Sequence, residues 1–192
     1  MALVLNTGPA IEPVSLADAK AHLRVDTDTE DVLIAGLVAA ARIHVELATG
    51  RLLITQGWSV FLDAWPKDRA VTLPLAPLQS IDAVRLHGDG DEPVEADLGA
   101  FVADTVSHPA RLVRRTAAPW PVPGRPALGI EIALTAGYGD AAADVPAPLV
   151  QAILLLAAHW FENREPVVFG EPATVPLAVA ALLEPYRARR LG

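Results

Sequence analysis

APLVQAILLLAAHWFENRE, residues Ala147–Glu165, is the stretch on which the fold turns. Pro148 suits the first turn of a helix, where its missing N–H is not needed. Leu149, Ile153, Leu156 and Trp160 then fall on one helical stripe, and Val150, Leu154, Ala157 and Phe161 on a second. Two apolar stripes require burial on at least two sides. The polar run from Glu162 to Glu165 and then Pro166 end the helix. Other helices of the same chain, and neighbouring copies of the chain, are the candidates to cover it. His159, inside this stretch, reads as a core histidine with a backbone partner rather than a ligand or a base.

Working outward, Pro176 opens a helix over Leu177–Glu184 that Pro185 closes. Near the start, Ser15 can cap a short helix running to Leu23, with Asp18 three residues on completing an Asp version of a capping box. Val25–Thr29 breaks it, because Asp and Thr side chains compete for local backbone bonds. The clearest helix spans Glu30–Thr49. Ile34, Leu37, Val38, Ala41, Val45 and Ala48 form one apolar face. Asp28 or Thr29 can cap it, Glu30 and Asp31 suit its positive end, and Gly50 can take the left-handed conformation after its last turn. Residues 1–13, with Gly8, Pro9 and Pro13, read as irregular.

Between Leu52 and Gly139 the texture changes. Gly57–Leu62, Ala70–Leu73, Ile81–Leu86, Ala110–Arg115 and Leu128–Leu134 alternate apolar and polar residues, the period of half-buried strands. Turn signals separate them: Trp65–Asp68, His87–Asp91 and Trp120–Gly124. The fold class is therefore α+β, a small bundle of about four helices with an antiparallel β-rich region inserted between the second and third. The expected organisation is a single domain over 1–192, with helical parts 14–50 and 146–185, the β-rich insertion 52–139 and a C-terminal tail 186–192.

Composition narrows the function. A chain of 192 residues can bury a core without covalent staples. Its 17 prolines exceed the usual frequency of about 5% and predict many rigid loops. There is no cysteine, which excludes disulfides and thiolate chemistry. The start lacks the basic and apolar regions of a signal peptide, no segment is expected to reach the apolar length of a membrane span, and synthesis in the cytoplasm without a membrane partner is expected. The net charge of −8 disfavours gripping phosphate backbones. Charge is uneven, however. Arg187, Arg189 and Arg190 fall in the last seven residues, leaving 12 of the 15 basic side chains to set against all 23 acids. Such a tail is either a solvated terminus or a segment with its own partner.

Motifs for catalysis are missing. The sequence has no phosphate loop with a Lys, no GxGxxG and no GxSxG elbow. His22, His44, His87, His108 and His159 lie far apart, so no metal site is expected and no cofactor either. Gly88–Glu92 reads as a hairpin turn rather than a calcium loop. The acidic cluster Asp26, Asp28, Glu30 and Asp31 reads as capping and solvation, or as an acidic face toward a basic partner or a channel. Arg111–Arg115 reads as a solvated strand face. Trp58, Trp65 and Trp120 anchor the sheet or mark a protein contact.

Several blocks, in order, carry a resemblance. They are Pro13–Asp26, Asp31–Arg42, Thr49–Thr55, Thr135–Asp140, Val145–Leu149 and Ala152–Glu165. Together they resemble the head–tail connector (adaptor) proteins of long-tailed phages and gene transfer agents, over about residues 13–62, 72–87 and 128–165. Residues 88–127 carry no part of it. The resemblance implies a non-enzymatic structural protein of the virion or phage-like particle, assembled in the bacterial cytoplasm. It implies a homo-oligomeric ring of about a dozen copies between the portal protein and the stopper or tail-completion protein. DNA would pass through the lumen without sequence-specific binding, and an acidic body would let it slide. The family's C-terminal segment reaches toward the portal, which makes Tyr186, Arg187, Arg189, Arg190 and Leu191 the candidate portal contacts. Leu149, Ile153, Leu156, Trp160 and Phe161 are the candidate subunit interface. Two other readings stay open: a small-molecule enzyme whose site forms only in three dimensions, and a nucleic-acid-binding regulator using the Arg-rich tail.

Overall fold

Alternation along the middle of the chain becomes two antiparallel sheets in the computed structural model. The model describes all residues except 89, 91, 117, 164–166, 169–170, 173–175 and 188–192, and only the backbone of 167–168 and 171–172. The chain forms two compact units, Met1–Pro9 with Thr55–Tyr138, and Ala10–Ile54 with Gly139–Gly192.

The first unit is β-rich. Its strands are β1 (Ala2–Thr7), β2 (Gln56–Leu62), β3 (Ala70–Thr72), β4 (Leu78–Leu86), β5 (Val94–Glu95), β6 (Phe101–Asp104), β7 (Arg111–Arg114) and β8 (Ile130–Ala136). Five of them form one sheet in the order β1-β2-β8-β4-β5, and three form a second in the order β3-β7-β6. The central strand β8 pairs with β2 from Gln56↔Ala136 to Leu62↔Ile130 and with β4 on its other side. It is buried on both faces apart from Thr135, not half-buried as alternation predicts. A strand flanked on both sides and covered on both faces has no solvent face to signal. Val60, Val84, Ile130, Ile132 and Leu134 form its core. In the second sheet Val71, Phe101 and Leu112 point inward.

β1 corrects the reading of residues 1–13 as irregular. It is an edge strand held by its register with β2, Ala2↔Phe61 to Thr7↔Gly57. All six of its side chains are exposed, so no apolar face distinguishes it from a loop. β5 and β6 lie in the stretch without recognisable pattern; β5 has two residues, both exposed. β4 pairs antiparallel with β5, Arg85↔Glu95 and Leu86↔Val94, while Asp89 and Asp91 of the expected turn Gly88–Glu92 lie outside the described residues.

The second unit is helical: α1 (Leu16–Leu23), α2 (Asp31–Thr49), α3 (Ala147–Glu162) and α4 (Leu177–Leu183), with a short hairpin of β9 (Val167–Val168) and β10 (Glu171–Pro172). Ser15 caps α1 as its sequence predicts. The hydroxyl accepts from the Asp18 N–H at 3.1 Å and donates to the Asp18 carboxylate at 2.6 Å. The α2 cap differs from expectation. Glu30, not Asp28 or Thr29, is the residue before the helix and makes no side-chain cap, and the Asp28 carboxylate pairs instead with Lys20 at 2.7 Å. Gly50 ends α2 at φ +67°, where a Cβ would be strained.

α3 is covered by α1, α2 and α4 of its own unit. Leu149, Ile153 and Leu156 are completely buried, facing Ile34, Val38 and Val45 of α2 and Val179 and Leu183 of α4 in one aliphatic core. Arg42 of α2 is also buried. Its Nε donates to Glu12 at 2.8 Å and its Nη1 to Glu46 at 2.7 Å, and the second Glu46 oxygen accepts the Leu53 N–H at 2.9 Å. A buried guanidinium is tolerable only when paired in this way.

Leu156→Ala should lower the unfolding free energy by about 2–5 kcal/mol in urea denaturation, the cost of a cavity in a packed core. Gly36, in the middle of α2, has nothing within 4 Å of where a Cβ would stand. Gly36→Ala should therefore raise it by about 0.5–1 kcal/mol in the same assay, through the helix preference of Ala alone.

Candidate functional site

Two sets of residues carry the functional expectations, and the structure treats them differently. Within the first set, Leu149, Ile153 and Leu156 have no surface left for a neighbouring copy, because α1, α2 and α4 consume their stripe. Trp160 and Phe161, one turn further along α3, keep part of their surface. The Trp160 indole meets the His44 ring of α2 edge-on at 6.0 Å. His159 is half-buried rather than in the core, and Asn163 donates to its carbonyl at 2.8 Å and lies 3.4 Å from its ring.

The second set is the segment after α4. A 3-10 turn spans Glu184–Tyr186, and the Arg51 Nε donates to the Tyr186 carbonyl at 2.8 Å. Tyr186 thus belongs to the folded unit, which fixes where the basic segment leaves it. Arg187 is exposed and pairs with Glu184 at 3.3 Å. Arg189, Arg190 and Leu191 lie outside the described residues.

α2 presents a surface that its inward periodicity did not announce. Its exposed residues are Val32, Leu33, Ala35, Gly36, Ala40, Ile43 and Leu47, every one apolar. Val32 is 90% and Leu47 80% exposed. The signal was present in the sequence as a missing polar face: after Asp31, the charged residues of α2 are Arg42 and Glu46, and both turn inward to pair. By length and composition α2 would suffice to cross a bilayer, which corrects the expectation that no segment is apolar enough; Arg42 and Glu46 pair and so do not break its apolar surface. Alongside it an open groove of about 470 Å³ is lined by Ile11, Val14, Leu16 and Val38, with Glu12 and Asp18 among its polar residues.

The acidic cluster resolves into a clamp. Lys20 reaches Asp28 and Asp31, each at 2.7 Å, and Asp26 stays exposed. The hydrogen bonds that Lys20 donates to Asp28 and Asp31 raise its pKa, and the Lys20 bond lowers that of Asp28. In the β-rich unit, Trp65 and Trp120 stack at 4.3 Å with Phe101 beside them, and Arg114 sits 5.5 Å over Trp120. These tryptophans anchor the unit. Trp58 instead donates to Gln56 at 3.2 Å. The basic strand is likewise occupied locally, Arg111 by Asp104, Arg114 by the Ala118 carbonyl and Arg115 by the Gly99 carbonyl.

One polar network joins groups that chemistry could use. Asn6 donates to Ser59, Ser59 donates to Glu131 Oε1 at 2.6 Å, Arg85 donates to the same oxygen at 3.1 Å, and His87 Nε2 lies 3.0 Å from Oε2. A nucleophile needs a base on its own proton and an orienting group beyond the base. Here the carboxylate stands between the hydroxyl and the imidazole, and Ser59 is buried. The network ties four strands together. Among the described residues, no group of three or more His, Cys, Asp or Glu side chains is arranged to hold a metal ion.

Burial pushes the Glu131 carboxyl upward, but bonds from Ser59 and His87 and the Arg85 charge outweigh it, and the pKa lies below the usual 4.5. A carboxyl depressed in the folded state stabilises fully above its unfolded pKa and loses that contribution as pH falls through the folded value. Stability should therefore decline on acidification below about pH 4.5, the usual glutamate value. Glu131→Gln should be less stable at pH 7 by about 1–3 kcal/mol and show a flatter acid limb in denaturation series.

The comparisons with known proteins agree with one another. The phage gp6-like head-tail connector family matches residues 13–87. A chain in the neck of an empty gene transfer agent (GTA) particle, computed with C6 symmetry, is 30% identical with a TM-score of 0.83, covering 100% of this chain and 98% of that one. A chain in the virion of a native GTA particle is 30% identical with a TM-score of 0.79 at the same coverage. A chain in the neck of a native GTA particle, computed with C12 symmetry, is 29% identical with a TM-score of 0.78, again over 100% and 98%. No curated protein sequence matches the chain. With the family's own segment at 13–87 and 30% identity to a GTA neck chain along its whole length, the chain belongs to the phage gp6-like head-tail connector family.

Proposed function

We propose that this chain is a structural head–tail adaptor that forms a ring between the portal and the stopper or tail-completion protein of a phage or gene transfer agent particle. The observation that carries the reading is similarity along the full length to chains of GTA necks, computed with C6 and with C12 symmetry. Cyclic symmetry of that order suits a ring of about a dozen copies around an axial channel. The family is one of structural connectors rather than of enzymes. Both compact units serve this one adaptor role.

DNA passes through the lumen without being read. A chain with 23 acids against 15 basic residues repels phosphate, so the duplex slides rather than sticks. The basic segment Tyr186–Leu191 is the portal contact. The Arg51 bond to the Tyr186 carbonyl holds its root, and Arg187, Arg189 and Arg190 supply charge that an acidic portal surface would take. At the lateral contact, Trp160 and Phe161 are half-buried, whereas Leu149, Ile153 and Leu156 are fully buried within the chain.

The test is to mix the purified chain with the portal protein encoded beside it and to determine native mass and ring symmetry by electron microscopy. A stacked ring is expected, with no turnover of any substrate. Deleting residues 187–192, which leaves the Arg51–Tyr186 bond in place, should abolish portal binding while the far-ultraviolet circular dichroism and melting temperature stay as in the intact chain. Portal binding at full strength by the shortened chain would remove the role assigned to this segment. Tight, salt-sensitive DNA binding by the free chain would favour the nucleic-acid regulator instead.

A further inference from the structure

We infer that the outward face of α2, the stripe Val32, Gly36, Ala40, Ile43 and Leu47, is the surface by which one copy of this chain packs against the next. The inference rests on the ring reading above and assigns that ring a lateral contact. Three observations converge on it.

The stripe is helically continuous, with steps of four, four, three and four residues along nearly the whole of α2. Its two ends are open to solvent, Val32 at 90% and Leu47 at 80%, and Ile43 between them is 47% exposed. Exposed apolar residues scattered singly need no explanation, but a stripe along one helix does. Gly36 adds a further point: among the described residues nothing lies within 4 Å of the position of its missing Cβ, so no packing among them accounts for a glycine in mid-helix.

Charge selects the occupant. Each copy carries −8, and a contact free of charge brings no like charges together at close range. The outward face of α2 contains no charged residue, because Arg42 and Glu46 point inward and satisfy each other and Glu12. Permanent contacts between identical subunits are also the most apolar class of interface. A lipid surface fits less well, since helices that lie on membranes flank their apolar face with Lys and Arg, and α2 exposes neither.

Symmetry supplies the third observation. The similar neck chains come from structures computed with C6 and C12 symmetry. In a cyclic ring every copy meets its neighbour head to tail, through two different patches. The buried stripe Leu149, Ile153 and Leu156 can provide neither patch, whereas the α2 face is free to provide one.

The experiment places p-benzoylphenylalanine at Leu47 of the full-length chain, produces it together with the other neck components, and irradiates the assembled particles. The expected product is a covalent dimer of the 20.3 kDa chain, identified by mass spectrometry of its cross-linked peptide. Incorporation into particles with cross-linking only to a different protein, or with none, would overturn the α2 assignment and leave the ring reading standing. Absence of the chain from particles would overturn the ring reading and this inference with it. In parallel, Leu47→Glu should melt like the unmodified chain yet enter particles about tenfold less, the effect of losing about 1.4 kcal/mol at one contact. Incorporation of Leu47→Glu at the unmodified level would overturn the assignment. So would flotation of the free chain with phosphatidylglycerol vesicles that Leu47→Glu abolishes, since the face would then belong to a membrane.

Discussion

The helical unit depends on the burial of α3. Of its two apolar stripes, α1, α2 and α4 bury the one carrying Leu149, Ile153 and Leu156, while Val150, Leu154 and Phe161 of the other are half-buried. That requirement sets the orientation of α2. The face of α2 carrying Ile34, Val38, Ala41 and Val45 is drawn inward, and Arg42 and Glu46, which lie beside it on the helix, go with it. Burying them is tolerable because Glu12, Arg42, Glu46 and the Leu53 N–H form a closed set of partners. What remains outside is a helix surface without charge. The same geometry that completes the core of one chain leaves an apolar stripe for another.

The β-rich unit obeys a different constraint. Its central strand β8 is buried on both faces apart from Thr135 yet carries Glu131, whose carboxylate has to be satisfied within the sheet. Ser59 from β2, Arg85 from β4 and His87 just beyond β4 converge on it. Residue types often found in hydrolytic sites are here held in an order that gives no activated nucleophile. The network acts as a cross-brace, and the stacked Trp65 and Trp120 do the corresponding work beside the smaller sheet.

Legibility followed periodicity and local chemistry. The Ser15 cap, the left-handed Gly50 after α2, and the span of α3 behind Pro148 were readable because each depends on residues within one or two turns. β1 was not readable, since an edge strand exposed on both faces has no pattern and exists only through its pairing with β2. The cap expected from Asp28 or Thr29 is not made, because α2 begins after Glu30 and leaves both outside the cap position. Of the surfaces expected to meet other molecules, Trp160 and Phe161 retain exposure, whereas Leu149, Ile153 and Leu156 do not. Two apolar stripes on one helix state that two sides are covered, and do not state by which chain.

By itself the sequence determined the helices, their ends, the β texture between them, the absence of thiol chemistry, and the ordered blocks shared with connector proteins. These are matters of spacing and composition along the chain. Tertiary structure alone decided which apolar surface is used within the chain and which is left over. α3 and α2 are both apolar enough to serve either purpose. The choice follows from how many neighbours each acquires: α3 is enclosed by three helices, while α2 keeps one side open to solvent. Exposure is a property of that arrangement and is written in no single residue.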